Sequence, residues 1–237
     1  MSKHSKWAKV KNQKGAADAK RGQIFTKLGR DITVAAREGG GDAEFNFKLR
    51  LAVDRAKAAN MPKDNIERAV ARGADAGAGG GLKELVYEAF GPAGSVFVII
   101  VYSDNVNRTV SEIKNILSKN GGNLAGQGAV MWQFKKLGVI RLKPQPGREE
   151  LDLQLIDAGA EDIKEEDGDS VVYTKPEDLA KIKKFFDGKN IPLETVAIEY
   201  VAKETIKLNL ADEAKAEALM NALDDSADVS EIFTNIE

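Results

Sequence analysis

Apolar residues recur at three- and four-residue spacing along the first part of the chain, which is the period of an amphipathic helix. The pattern predicts a helix over 18–38, with an apolar face formed by Ile24, Leu28, Ile32 and Ala35 and with Phe25 beside it. Asp18 suits its first turn, where a carboxylate meets the positive end of the helix dipole. The glycines at 39–41 then end the helix, because glycine tolerates the left-handed cap conformation.

Two shorter helices follow with the same period. Asp42 is a candidate N-cap for the second helix, which runs to about Asn60 and has an apolar face of Phe45, Leu49, Ala52, Val53, Ala56 and Ala59. The third begins at Pro62, which can start a helix without losing a needed amide, and is stopped by Gly73. Its inward residues are Ile66, Ala69 and Val70. The sequence therefore predicts a three-helix bundle over 18–73.

The stretch 74–81 consists of glycine, alanine and one aspartate, a composition typical of a flexible linker. A phosphate-binding loop is the alternative for a glycine-rich segment. No Gly-Lys-Ser/Thr follows it and no strand is predicted before it, so the linker interpretation is favoured.

The rest of the chain alternates strands and helices. Helices are predicted over 106–120, 148–158, 176–187 and 210–224, and strands over 84–90, 95–102, 129–134, 137–143, 161–166, 170–174, 193–201, 204–208 and 229–235. Between Gly138 and Val201 the order is β-α-β-β-α-β, which is the ferredoxin-like plan. We predict an α+β fold: an N-terminal three-helix domain followed by two ferredoxin-like α+β sandwich domains, with residues 136–202 inserted into a domain made of 82–135 plus 203–237.

Charge is distributed unevenly along the chain, although the net charge is only −2. Residues 1–30 carry nine Lys or Arg and one acid, for a net of +8, whereas 81–237 carry eighteen bases and twenty-eight acids, for a net of −10. A basic segment at one end predicts contact with a polyanion, which the acidic remainder would repel and so help to orient.

The first seventeen residues show no helical or strand period and contain only two large apolar side chains, Trp7 and Val10. We expect a basic arm, mobile when free, because it buries too little to offset its ordering entropy. Its lysines can neutralise phosphates, and Trp7 can stack on an unpaired base. The alternative is that Trp7 packs on the bundle and the lysines only solubilise. The predicted nucleic-acid-binding residues are Lys3, His4, Lys6, Trp7, Lys9, Lys11, Lys14, Lys20, Arg21, Lys27 and Arg30.

The composition argues against catalysis, since the chain has no cysteine and its one histidine is His4. No Walker, Rossmann or His-Glu-x-x-His motif is present, and the acids near Glu161 resemble a solvated turn. We expect no enzyme activity, metal, cofactor or small-molecule substrate. The longest apolar run, Val96 to Tyr102, is too short to span a bilayer, so no membrane contact is expected.

The opening residues argue for the cytoplasm. They have no apolar core segment of the kind found in secretory signals. A mitochondrial transit peptide is the alternative, because residues 1–17 lack acids, but such peptides favour arginine and serine, and this stretch has five lysines and two serines.

Asp104-Asn105-Val106-Asn107-Arg108 follows the most apolar predicted strand and opens a predicted helix. A helix cap by Asp104 or Asn105 is the favoured interpretation. The alternative is a polar loop that contacts a ligand.

Several motifs together resemble the YebC family over essentially the whole chain. They are His4-Ser5-Lys6-Trp7-Ala8 with Lys14, Asp18, Lys20-Arg21, Phe25 and Lys27, then Gly39-Gly40-Gly41-Asp42, Asn60-Met61-Pro62-Lys63-Asp64, Tyr87-Glu88, Gly91-Pro92, Asp104-Asn105, Asn107-Arg108-Thr109, Gly121-Gly122-Asn123-Leu124 and Ala158-Gly159-Ala160-Glu161-Asp162. Asn12-Gln13 departs from the family, where a His-Arg pair is frequent, and Glu199-Tyr200-Val201 lacks a nearby proline. The resemblance implies a cytoplasmic bacterial protein of three domains, described as a DNA-binding transcriptional regulator. Mitochondrial relatives are translational activators, and some bacterial relatives relieve ribosome stalling.

Three hypotheses of function follow from the sequence. The first is a DNA-binding transcriptional regulator. Its sequence specificity should be weak, because Asp64 and Glu67 lie among the basic residues of the third helix. The second is a ribosome-associated translation factor whose arm binds ribosomal RNA by shape, stacking and charge. The third is a protein-interaction scaffold, which would tolerate neutralisation of the arm.

Overall fold

The computed structural model describes residues 18–75, 81–144 and 148–237. Seven α-helices lie in these ranges: α1 (Asp18–Gly39), α2 (Phe47–Ala58), α3 (Lys63–Ala74), α4 (Val106–Lys119), α5 (Arg148–Ala158), α6 (Leu179–Gly188) and α7 (Leu210–Asp224). The strands are β1 (Lys83–Phe90), β2 (Val96–Ser103), β3 (Asn123–Leu124), β4 (Phe134–Leu142), β5 (Ala160–Glu166), β6 (Asp169–Thr174), β7 (Thr195–Ala202) and β8 (Val229–Thr234). The predicted arm over 1–17 and most of the predicted linker lie outside the described residues.

Helices α1, α2 and α3 form the expected bundle around Ile32, Leu49, Ala52, Ala56, Ile66 and Ala69. The start of α2 is a correction, because Asn46 rather than Asp42 caps it. The Asn46 Oδ1 accepts from the Leu49 amide at 3.0 Å, and its Nδ2 donates to the carbonyls of Ala35 and Gly40. Phe45 therefore precedes the helix, and it is 89% exposed rather than part of the apolar face.

Gly73 lies inside α3 and does not end it, which is a second correction. A Cβ at this position would lie 2.2 Å from the Thr33 carbonyl oxygen and 2.7 Å from the Ala36 Cβ, both on α1. The glycine is therefore required by the close approach of α3 to α1.

Two four-stranded antiparallel sheets follow the bundle, and they confirm the predicted α+β class. The first has the order β3-β1-β2-β8, and α4 and α7 cover one of its faces. The second has the order β5-β6-β4-β7, the ferredoxin-like arrangement, with α5 and α6 on one face. Its strands all lie between 134 and 202, whereas strands of the first sheet lie on both sides of that range.

Two predicted strands are wrong. Residues 204–208 contribute only an isolated bridge between Ile206 and Ile236. Residues 129–133 form a turn with a short 3₁₀ helix, Met131–Gln133, before β4 begins. Two of their amides have a side-chain acceptor, since the Glu88 carboxylate accepts from the backbone N–H groups of Val130 and Met131 as well as from that of the preceding Gly128.

The central strand β2 is buried along its whole length. Phe97, Ile99 and Val101 face α4 and α7, whereas the alternate residues from Val96 to Tyr102 pack with Val34 of α1. Because side chains alternate across a strand, a continuous apolar run needs cover on both faces, and the second cover comes from Val34 of α1 together with Val130 and Phe134.

A Gly73→Ala substitution should destabilise the protein by about 2 kcal/mol, since the methyl group would force α3 away from α1. Urea unfolding would measure the loss. Gly22→Ala is the matched control, because Gly22 is an exposed position of α1 with no other atom within 4 Å of an added Cβ. It should be neutral or stabilising by up to about 1 kcal/mol, and equal destabilisation by the two variants would contradict the close-approach explanation.

Candidate nucleic-acid interface

Three of the predicted site residues have side chains that the structure describes: Arg21, Lys27 and Arg30 of α1. Lys20 is the third residue of α1, and Lys3, His4, Lys6, Trp7, Lys9, Lys11 and Lys14 lie outside the described residues. Arg21 is exposed and available to a ligand. Lys27 and Arg30 lie about two helical turns further along α1 and have a different environment.

Lys27 and Arg30, two of the predicted nucleic-acid-binding residues, contact the second domain. Lys27 is only 7% exposed, and its Nζ donates to the Asp224 carboxylate at 2.9 Å and to the Asp224 carbonyl. The Arg30 Nη1 donates to the Asp228 carboxylate at 2.5 Å and to the Ala227 carbonyl at 2.7 Å. Phosphate binding by either residue stays a prediction, and it would have to compete with these ion pairs.

The same stripe of α1 continues with Asp31 and Val34. The Asp31 Oδ1 accepts from the Ser230 hydroxyl at 2.6 Å, and Val34 joins the apolar cluster on β2. Arg55 of α2 adds ion pairs to Asp31, at 3.6 Å, and to Glu231 of β8. The bundle is thus joined to the first sheet by a mixed apolar and ionic interface.

Asp228 is the centre of this interface. It is 5% exposed, and its carboxylate accepts from Arg30, from the Arg108 Nη2 at 3.1 Å and from the Thr109 hydroxyl at 2.6 Å. Burial alone would raise the pKa of Asp228, but the hydrogen bonds from Thr109, Arg30 and Arg108 outweigh it and hold that pKa below the ordinary value of an aspartate.

The motif that begins at Asp104 therefore has a structural role beyond the cap. The predicted cap is confirmed for Asn105, whose Oδ1 accepts from the Arg108 amide at 3.1 Å. Arg108 and Thr109 then hold Asp228. Sequence reasoning missed Asp228, because it lies 120 residues from Arg108 along the chain and no local pattern marks it.

Helix α3 exposes charges of both signs. Lys63 is paired with Glu67 at 3.4 Å, and Arg68 donates to the Asp64 carbonyl and to the Asn65 side chain. Arg72 is an exposed base of its last turn. A helix that has carboxylates among its basic residues suits weak phosphate contact better than recognition of specific nucleobases.

Neither a metal-ion cluster nor a membrane-spanning helix is found among the described residues. Within 18–75, 81–144 and 148–237, no three His, Cys, Asp or Glu side chains are arranged to hold a metal ion. Over the same ranges, the helices are too short or too polar to cross a bilayer.

An Asp228→Asn substitution should cost about 2 kcal/mol at pH 7, because the charged acceptor for Arg30, Arg108 and Thr109 is lost. The folded pKa is depressed, so this contribution is complete above the unfolded value near 3.9 and disappears as pH falls through the lower folded pKa. Urea unfolding at pH 7 and at pH 3 would measure both effects. Asp225→Asn, an exposed neighbour, should change little, and equal unfolding midpoints for the wild type and Asp228→Asn would refute the assignment.

Comparison with known proteins agrees with the motifs and the fold. Residues 5–76 match the family model of the TACO1/YebC protein N-terminal domain, and residues 82–236 match that of the TACO1/YebC second and third domain. A "Probable transcriptional regulatory protein" of Caldanaerobacter subterraneus subsp. tengcongensis is 42% identical over 100% of this chain and 98% of its own. One of Pseudothermotoga lettingae is 45% identical over 100% of this chain and 94% of its own.

The fold has a solved counterpart. The crystal structure of a conserved hypothetical protein from Aquifex aeolicus superposes with a TM-score of 0.84 at 37% identity, covering 95% of this chain and 93% of that one. Family models that match nearly the whole chain, and relatives above 40% identity along its full length, lead to one conclusion: the chain belongs to the TACO1/YebC family.

Proposed function

We propose that this protein is a non-enzymatic, cytoplasmic regulator of gene expression that acts by binding nucleic acid. The observation that carries the proposal is the charge of the first thirty residues, a net of +8, in a family whose curated members are named transcriptional regulatory proteins. Lysine arrays of this density neutralise backbone phosphates and release counterions.

Part of that charge is already paired within the protein, since Lys27 and Arg30 are bonded to the second domain. Of the basic residues in the first thirty, the arm lysines, Lys20 and Arg21 are then the proposed phosphate contacts. The polyanion is thus bound mainly by the segment before α1.

DNA is the proposed ligand, in line with the names of the relatives. Binding should have weak sequence specificity, because α3 carries charges of both signs and has no continuous row of basic residues to contact a DNA groove. Ribosomal RNA remains the alternative outcome of the test.

A variant with Lys3, Lys6, Lys9, Lys11 and Lys14 replaced by Gln should bind nucleic acid far more weakly. The slope of log affinity against log salt should fall in magnitude by about 4, since each lost phosphate contact removes 0.7–0.9. Titration of labelled DNA and RNA by fluorescence anisotropy at several salt concentrations would measure the slope.

The matched control replaces Lys114, Lys119, Lys175, Lys181 and Lys184 by Gln, five exposed lysines of the α+β domains with the same total charge change. Its slope should stay near that of the wild type. Cross-linking and sequencing of nucleic acid bound in cells should recover DNA across many sites, and only the arm variant should lose it. Recovery of ribosomal RNA alone would indicate a role in translation instead of transcription. Equal loss of bound nucleic acid by both variants would contradict the proposal that the arm lysines bind it.

A further inference from the structure

Trp132 is a large aromatic residue that the fold leaves uncovered. It lies on the 3₁₀ turn between the two α+β domains and is 67% exposed. Its indole Nε1 donates to the Ala129 carbonyl at 3.0 Å, so the polar edge of the ring is satisfied within the turn. The apolar surface of the ring remains in water, where covering it would be favourable.

A buried carboxylate holds the turn that carries Trp132. Glu88 on β1 accepts from the amides of Gly128 at 2.5 Å, Val130 at 2.7 Å and Met131 at 2.8 Å. Burial would raise the pKa of Glu88, but these three backbone donors outweigh it and lower that pKa. Val130 is completely buried beside them. The ring is therefore presented by an ordered turn, which reduces the entropy lost when a ligand binds.

Lys203 lies against the turn that carries Trp132. Its Nζ donates to the Trp132 carbonyl at 2.7 Å. Among the described residues, its ammonium group has no carboxylate oxygen within 4.0 Å. Lys135 is exposed as well, and it is paired with Glu161 at 2.7 Å.

A shallow cavity of about 300 Å³ lies next to this group, on the face of the second sheet opposite α5 and α6. It has an apolar floor of Leu137, Tyr173 and Val201, and its rim includes Lys135, Lys164 and Lys203. Two acids, Glu161 and Asp162, also line it, paired with Lys135 and Lys164. Lys203 both lines the cavity and donates to the Trp132 carbonyl, so the turn that carries Trp132 adjoins the cavity.

We propose that Trp132, Lys203 and the adjoining cavity form a second contact for nucleic acid, specific for a single strand. One unpaired base stacks on Trp132, and a neighbouring phosphate lies against Lys203. Base stacking on an aromatic residue contributes about 1–3 kcal/mol per base and tolerates any sequence. A duplex keeps its bases stacked on one another, so it cannot use this ring except at its ends.

This inference rests on the proposed nucleic-acid binding and adds a site 125 positions from Trp7, outside the arm. It also predicts that the protein prefers single strands to duplexes, a preference that the arm alone would not produce. Lysine arrays bind single and double strands by charge, whereas an exposed ring discriminates between them.

The direct test uses Trp132 as its own reporter. The chain has two tryptophans, so a Trp7→Phe variant leaves Trp132 as the sole source of tryptophan fluorescence. Addition of oligo(U) or oligo(dT) should quench that fluorescence, and a hairpin-closed duplex of equal length should not. Anisotropy of the labelled strand, measured in the same titration, reports binding itself.

Affinity measurements complete the test in the otherwise wild-type chain. Trp132→Ala should weaken single-strand binding about tenfold, Trp132→Phe should retain most of it, and Lys203→Gln should reduce the salt slope by about 1. Phe45→Ala is the matched control, since Phe45 is an exposed aromatic residue on the helical domain, and it should leave affinity unchanged.

The outcomes separate this site from the proposed function. Strands that bind by anisotropy but leave Trp132 fluorescence unchanged would overturn the second contact and leave nucleic-acid binding intact. No binding by any strand would overturn both. A Trp132 signal that changes with protein concentration, in the absence of nucleic acid, would show that the ring covers another copy of the chain, and it too would overturn the proposal.

Discussion

The fold depends on the contact between α1 and the first sheet. That contact places Val34 on β2 and surrounds it with ion pairs, of which Arg30 to Asp228 and Lys27 to Asp224 span nearly the whole length of the chain. Val34 covers the second face of β2 together with Val130 and Phe134, so loss of α1 would uncover part of that face. The helical domain is therefore joined to the first sheet by an apolar contact and by ion pairs at once.

This contact changes the meaning of the charge pattern. The basic start and the acidic remainder of the chain first indicate attraction and repulsion of an external polyanion. In the structure, two cations of α1 are paired with two of those acids, Asp224 at the end of α7 and Asp228 before β8. Arg108 and Thr109 also donate hydrogen bonds to Asp228. The charge left for a ligand lies before α1, in the first turn of α1 and, by our inference, around Trp132.

Local patterns predicted much of the architecture, because helix period, strand alternation and caps depend on neighbouring residues. The α1 to α3 bundle, the apolar strand β2 and the Asn105 cap are of this kind. The errors came from distant partners. Residues 129–133 have the pattern of a strand, but the Glu88 carboxylate accepts from the amide of Val130 within them. Gly73 has the appearance of a helix end, but its role is to let α1 approach closely. Asp228 carries no local signal at all.

We propose that Lys27 binds the second domain, whereas the arm lysines bind the nucleic acid. Acetylation of lysines followed by mass spectrometry, in the free protein and with bound nucleic acid, tests it most directly. We predict slow modification of Lys27 in both states, fast modification of the exposed Lys57 in both, and protection of Lys3, Lys6 and Lys9 only in the complex. If Lys27 reacts as fast as Lys57 in the free protein and becomes protected only on binding, the account is contradicted.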